Sequence, residues 1–337
     1  MKNIGKDIEI AAKKINEGNL VVFPTETVYG IGANALDEEA VKKIFIAKNR
    51  PQDNPLIVHV NSLDMVEKLT NNISEIEKKL MNKFWPGPLS IVLEKSELVP
   101  YIVTAGLDTV SIRMPDNKFA LDLIEKAKVP IAAPSANKSG KPSGTNILDI
   151  YDELKENVSY FLDGGKCEIG IESTVVKVEK SGKIVILRPG KITKEQLSAI
   201  SDVEVDKNCF RKVSKDEKVL SPGMKHRHYA PNAKCIMINF DDKEKMIKKI
   251  REISVNSDQN IAFMVMDDIA KNIKENVKIY NLGTSLEDVS KNIFNYLRNL
   301  DKNKIDLCYI QGFDTAGLGL GIMNRLLRAC EYNVIQI

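Results

Sequence analysis

From Leu20 to Leu187 short apolar runs alternate with amphipathic segments, and this alternation restricts the chain to an α/β architecture around a buried sheet. Leu20-Val21-Val22-Phe23, Leu56-Ile57-Val58-His59-Val60, Ser90-Ile91-Val92-Leu93, Val110-Ser111-Ile112-Arg113 and Ile131-Ala132-Ala133 are expected strands. Between them, Asp37 to Lys48 reads as a helix, with Asp37 as N-cap and Val41, Ile44 and Phe45 on one face. Ser74 to Phe84 reads as a second, stopped by Trp85-Pro86-Gly87-Pro88, and Phe119 to Lys128 as a third. Ser173 to Val178 and Ile184 to Leu187 flank Ser181-Gly182-Lys183, which predicts a hairpin.

The pattern lapses after residue 207. From Asn208 to Ala233 the chain is polar and basic with no clear period, which predicts a linker. It then resumes. Cys235-Ile236-Met237-Ile238, Ile261 to Met266 and Leu307-Cys308-Tyr309-Ile310 are apolar enough for buried parallel strands. Asp241 to Ile253 and Leu286 to Leu300 are amphipathic helices between them. The expected organisation is a larger α/β domain over residues 1–207, a linker over 208–233, and a smaller doubly wound, Rossmann-like domain over 234–337.

A net charge of +3 over 337 residues gives no whole-molecule field of the kind that marks a nucleic-acid binder. No stretch is long and apolar enough for a membrane span, so no membrane partner is expected. Five cysteines, odd in number and without a CxxC pair, fit reduced thiols in a cytoplasmic protein and argue against a disulfide framework or zinc ribbon.

Polar signatures collect where the expected strands and helices end, as they do when a rigid scaffold carries a site. Pro24-Thr25-Glu26-Thr27-Val28-Tyr29-Gly30 follows the first strand. Lys48 and Arg50 close a helix before Pro51. Cations there answer the helix dipole, or, on a loop stiffened by Pro51 and Pro55, they suit a polyphosphate. Ser135 and Asn137 follow another strand. They fit an Asx-type turn, or a hydroxyl and an amide for phosphate or carboxylate oxygens. Arg113 at a strand end fits a surface ion pair or a carboxylate anchor, and His59 a core histidine or a ligand contact. The site they sketch is anionic-ligand binding, with two fixed cations, a hydroxyl–amide pair and little else titratable. His226 and His228 lack further ligands at metal spacing, so no protein metal site is expected. Gly317, Gly319 and Gly321 depart from the GxGxxG spacing and read as a structural turn, and no P-loop, nucleophile elbow or HExxH is found.

Order and spacing of these runs resemble the Sua5/YrdC family of threonylcarbamoyl-AMP synthases. The resemblance rests on the PTETVYG run at Pro24–Gly30, Lys48-Asn49-Arg50-Pro51 through Asn54-Pro55-Leu56-Ile57-Val58-His59, and Phe84-Trp85-Pro86-Gly87-Pro88-Leu89. It continues through Ser111–Pro115, Pro134–Gly140, Glu172–Val175 and Leu187-Arg188-Pro189-Gly190. The linker run Ser221–Pro231 and the tail are similar to the longer, two-domain Sua5 subtype. The resemblance implies a twisted α/β domain around a basic cavity. It implies condensation of L-threonine, bicarbonate or CO2, and ATP into threonylcarbamoyl-AMP and pyrophosphate. Mg2+ is expected on the ATP phosphates, and a threonylcarbamoyl transferase downstream would modify adenosine 37 of tRNAs reading ANN codons; direct, weak tRNA binding stays open. Carried onto matching positions, threonine would touch Thr27, His59, Arg113, Ser135 and Ser173. ATP would touch Lys48, Arg50, Asn54, Thr109, Ala133, Asn137, Ser143, Arg188 and Tyr229. A linker folded as a lid over the cavity is a further expectation. Two other readings compete: a carbamoyl-adenylate former of the hydrogenase-maturation type, whose accompanying domains are not visible here, and an RNA-binding module, weakened by an aromatic content of 6%.

Overall fold

A computed structural model describes residues 3–211, 229–255 and 259–337. The chain divides into two compact units, Met1–Ser139 with Ser143–His226, and Gly140–Pro142 with Arg227–Ile337. The lid expected from Ser221–Pro231, and the His226/His228 pair within it, fall largely outside the described residues.

The first unit is built on strands β1 (Ile4–Gly5), β2 (Val21–Phe23), β3 (Gly30–Asn34), β4 (Ile57–His59), β5 (Leu89–Glu94), β6 (Thr109–Arg113), β7 (Ile131–Ala132), β8 (Tyr160–Leu162), β9 (Thr174–Val178), β10 (Ile184–Arg188) and β11 (Val203–Val205). They form one mixed sheet in the order β1-β8-β2-β3-β7-β4-β6-β5-β9-β10-β11. Side chains alternate across it. Val22 joins the larger core with Ile31, Val58, Ile91, Ile112 and Val176, while Val21 and Phe23 join Ala11, Ile15, Leu123 and Ile124 on the other side. With both faces covered, strands read as continuous apolar runs. This is why β2, β4, β5, β6 and β7 were legible, and the expected hairpin is the antiparallel β9–β10 pair.

Local chemistry sets the element ends. Asp37 caps the helix Glu38–Lys48 by accepting from the Glu39 and Ala40 amides. Asn49, left-handed at φ 52°, turns the chain away immediately after Lys48. Ser74 and Glu77 form a capping box on the helix Glu75–Phe84. β3 carries no apolar alternation because two of its positions are glycines. At Gly32 a Cβ would sit 2.6 Å from Ile131 and 2.7 Å from Phe23, so packing between neighbours demands the missing side chain.

The second unit holds β12 (Lys234–Asn239), β13 (Ile261–Val265), β14 (Lys278–Asn281), β15 (Leu307–Gln311) and β16 (Val334–Gln336), all parallel in the order β14-β13-β15-β12-β16. Helices Lys243–Val255, Leu286–Lys302 and Leu318–Ala329 connect them, giving the expected Rossmann-like layout. Gly317 caps the last helix at φ 54°, and a Cβ on Gly319 would lie 1.9 Å from the Asp314 carbonyl oxygen. The glycines there answer backbone crowding. Among the described residues no helix is long and apolar enough to cross a membrane, and none of the five cysteines is in a disulfide.

Candidate active site

Parallel pairing of β4 with β6 brings the ends of two strands together and sets His59 opposite Arg113. Arg113 is 3% exposed, so its charge has to be matched locally. Its Nε donates to the Gly87 carbonyl at 3.2 Å, and its Nη1 to Thr27 Oγ1 at 3.0 Å. Gly87 lies in the turn after the helix Glu75–Phe84; Thr27 lies in the turn after β2. Nη2 stands 2.6 Å from Glu26 Oε2, both side chains being buried. That contact is one of charge, off the hydrogen-bonding direction: Nη2 and both Glu26 oxygens have no hydrogen-bond partner.

The turn carrying these residues is self-bracing. Thr25 Oγ1 donates to the Val28 carbonyl at 2.6 Å and accepts from the Thr27 hydroxyl at 2.8 Å. The Ile169 and Gly170 amides donate to the Glu26 and Thr27 carbonyls, tying it to the segment before β9. Cys167 on that segment has its thiol pushed up by burial, with the Glu26 carboxylate adding to the effect. His59 is driven the other way. Burial, then the Arg113 charge, lowers it from 6.5 to about 3, so it is a neutral imidazole, edge-on to Phe23.

Ser173 and Arg188 meet where β9 starts and β10 ends. Arg188 Nε donates to the Ser173 carbonyl at 3.1 Å and Nη2 to its Oγ at 3.0 Å, while Ser90 Oγ lies 2.8 Å from the same hydroxyl. Beside them Ser143 donates to Glu172 at 2.5 Å.

Ser135 and Asn137 follow β7, and Ser135 Oγ donates to Asn137 Oδ1 at 2.6 Å, a bond between side chains rather than the side-chain-to-backbone bond of an Asx turn. Lys48, 1% exposed, reaches into this loop and donates to the Ser135 and Asn137 carbonyls at 2.6 and 2.5 Å. Arg50 donates to the Asn54 and Pro55 carbonyls, closing its own proline-bounded loop. Ala133 is fixed by its amide to the Ile57 carbonyl, next to β4.

Strand pairing and hydrogen bonds thus gather Thr27, His59 and Arg113 in one group, Ser173 with Arg188, Ser135 with Asn137 and Lys48, and Arg50 with Asn54. Thr109 begins the strand that Arg113 ends, roughly 13 Å away along it. Tyr229 belongs to the second unit, where its ring lies 5.1 Å from Phe294 and Arg325 stands over it at 5.9 Å. Sequence reasoning missed the acids. Far from offering little else to titrate, these segments bury two carboxylates, Glu26 against Arg113 and Glu172 on Ser143. Glu26 sits inside a run already singled out for its hydroxyls, and nothing in its type or spacing separates it from a solvated turn residue. Among the described residues no group of three or more His, Cys, Asp or Glu is placed to hold a metal ion.

Residues 13–190 match the Sua5/YciO/YrdC family, described as Telomere recombination, and residues 192–330 match the family described as Threonylcarbamoyl-AMP synthase, C-terminal domain. The chain is 43% identical to the threonylcarbamoyl-AMP synthase of Pyrococcus abyssi, over 98% of this chain and 96% of the relative. It is also 43% identical to that of Bacillus subtilis, over 97% and 93%. The crystal structure of P. abyssi Sua5 complexed with L-threonine superposes with a TM-score of 0.89 at 41% identity, over 98% of this chain and 96% of that one.

Proposed function

Because this chain belongs to the Sua5/YrdC family, we infer that it is a threonylcarbamoyl-AMP synthase, joining L-threonine, bicarbonate or CO2, and ATP with release of pyrophosphate. The observation that carries this reading is Arg113: a buried guanidinium, held by Gly87 and Thr27 from two separate turns, whose Nη2 meets Glu26 in a contact of charge and has no hydrogen-bond partner.

The chemistry needs no protein nucleophile. The threonine nitrogen gains a carboxyl group, a carbamate oxygen attacks the α-phosphorus, and pyrophosphate leaves. The protein has to align the parts and offset charge. Arg113 takes the threonine carboxylate, with the Thr27 hydroxyl beside it, and Ser135 and Ser173 offer further hydroxyls to threonine. His59 is neutral at working pH, so it packs against the substrate without adding charge. Lys48, Arg50 and Arg188 supply the positive field for the phosphates, with Asn54 on the Arg50 loop, Asn137 on the loop that Lys48 reaches, and Ser143 further along that loop. Mg2+ arriving on the phosphates would add charge neutralisation that the protein's own side chains do not have to provide. Burial of the whole set keeps water from a carbamate that hydrolyses readily. The product is labile too, and passes to a transferase acting on adenosine 37 of ANN-decoding tRNAs. Five cysteines, odd in number and without a CxxC pair, fit a cytoplasmic location.

The test supplies ATP, Mg2+, bicarbonate and each amino acid in turn, and follows pyrophosphate. Release with threonine and bicarbonate together, and with neither alone, is the expected result. Release with no amino acid, or with all of them equally, would sink the reading.

A further inference from the structure

We propose that Glu26 receives the α-ammonium of the amino-acid substrate, so that the Glu26–Arg113 pair together recognises a zwitterion. This deepens the threonine-site reading above and rests on it.

Arg113 Nη2 and Glu26 Oε2 touch at 2.6 Å, yet they do not hydrogen-bond to each other or to anything else. A buried ion pair kept only for structure holds its place through hydrogen bonds that fill the remaining donors and acceptors. Here the filled part is all on the arginine's other side, at Gly87 and Thr27. What stays open is a donor on Arg113 next to two acceptor oxygens on Glu26. An α-amino acid carries a carboxylate and an ammonium on neighbouring atoms of one carbon. Its carboxylate matches the unfilled donor and its ammonium the unfilled acceptors. The exchange keeps the buried charge constant, because a net-neutral ligand replaces one ion pair by two. No solvent-derived counterion is required.

The surroundings agree. Glu26 is 5% exposed, its backbone carbonyl accepts from the Ile169 amide, and its carboxylate lies against Arg113. Its charge is felt at Cys167, whose thiol it helps to push up, and the one imidazole nearby, His59, is uncharged. Among the described residues the other buried carboxylate of the region, Glu172, already accepts from Ser143. Glu26 is therefore the acceptor left for a cationic nitrogen.

The experiment compares L-threonine with the 2,3-dihydroxybutanoate of matching configuration, in which a hydroxyl replaces the amine, by calorimetric titration of the full chain. The wild-type protein is expected to bind the hydroxy acid at least about 30-fold more weakly. In Glu26→Gln, shown folded by its thermal melt, threonine affinity falls and the preference shrinks to about threefold or less. In Glu26→Asp, which keeps the charge on a shorter arm, part of the preference survives. A structural counterion would weaken both ligands alike and leave their ratio unmoved. Equal binding of the two ligands by the wild-type chain overturns the assignment without touching the synthase reading, and needs no variant to fold. Failure to bind threonine at all would contradict that reading, and the assignment with it.

Discussion

Arg188 grips Ser173 twice, through Nε to its carbonyl and through Nη2 to its hydroxyl, and so joins the end of β10 to the start of β9 at the candidate threonine and nucleotide positions. The grip uses the planar fork of a guanidinium, which an ammonium cannot reproduce. Arg188→Lys is expected to lower kcat/KM for both threonine and ATP by about 10- to 100-fold while the melting temperature moves little. An equal turnover in Arg188→Lys and wild type would show that the fork has no part in the reaction.

Gly190 makes that grip sterically feasible. A Cβ at this position would lie 2.6 Å from the Thr174 amide nitrogen and 2.7 Å from the Glu172 carbonyl oxygen, both backbone atoms that cannot swing away. Gly190→Ala is expected to destabilise the chain by about 1–3 kcal/mol, read as a lowered denaturant midpoint at unchanged slope. An unchanged midpoint would mean that the segment has slack the structure does not show.

Lys48 is buried with its ammonium on two carbonyls of the loop that presents Ser135 and Asn137. Lys48→Met keeps the length and removes the donors, so that both carbonyls lose the ammonium, at a cost of about 1–3 kcal/mol. ATP binding should fall by at least about 100-fold, and the loop should exchange its amide hydrogens faster. Wild-type ATP affinity in Lys48→Met would remove Lys48 from the nucleotide site.

His59 gives a pH signature. Folded, it titrates at about 3; unfolded, it returns to 6.5. The unfolded chain therefore binds the extra proton between these values, so stability is complete above pH 6.5 and is lost as pH falls toward 3. At about 1.4 kcal/mol per unit the ceiling is roughly 5 kcal/mol. Wild-type melting temperature should fall more steeply than that of His59→Gln from pH 6.5 to 4, the difference isolating His59 from the carboxylates that titrate in the same range. Parallel curves would contradict a buried neutral imidazole.

How far the sequence could be read follows from which side chains report on their surroundings. Buried strands such as Val21–Phe23 and Ile57–His59 announce themselves because both faces are apolar. Gly30–Asn34 does not, since Gly32 fits between Phe23 and Ile131 by having no side chain at all. Ile4–Gly5 and Tyr160–Leu162 are too short for a period, and they pair across more than 150 positions of chain. The helix Ile8–Asn16 did carry a signal, in Asp7 as N-cap and Ala11, Ala12 and Ile15 as its buried face. In the candidate site the cations and hydroxyls stood out only as runs collected at strand and helix ends, each residue alone having an ordinary structural use. The acids were not. That Glu26 is buried against Arg113 depends on a turn after β2 meeting the end of β6, a contact between residues far apart in sequence.

The most direct measurement supplies 13C-bicarbonate with threonine, ATP and Mg2+ and identifies the adenylate by mass spectrometry. A nucleotide product one mass unit heavier than unlabelled threonylcarbamoyl-AMP, the label in its carbamoyl carbon, is the predicted result. An adenylate of plain threonine with no label, or ATP left intact, would contradict the reaction assigned here.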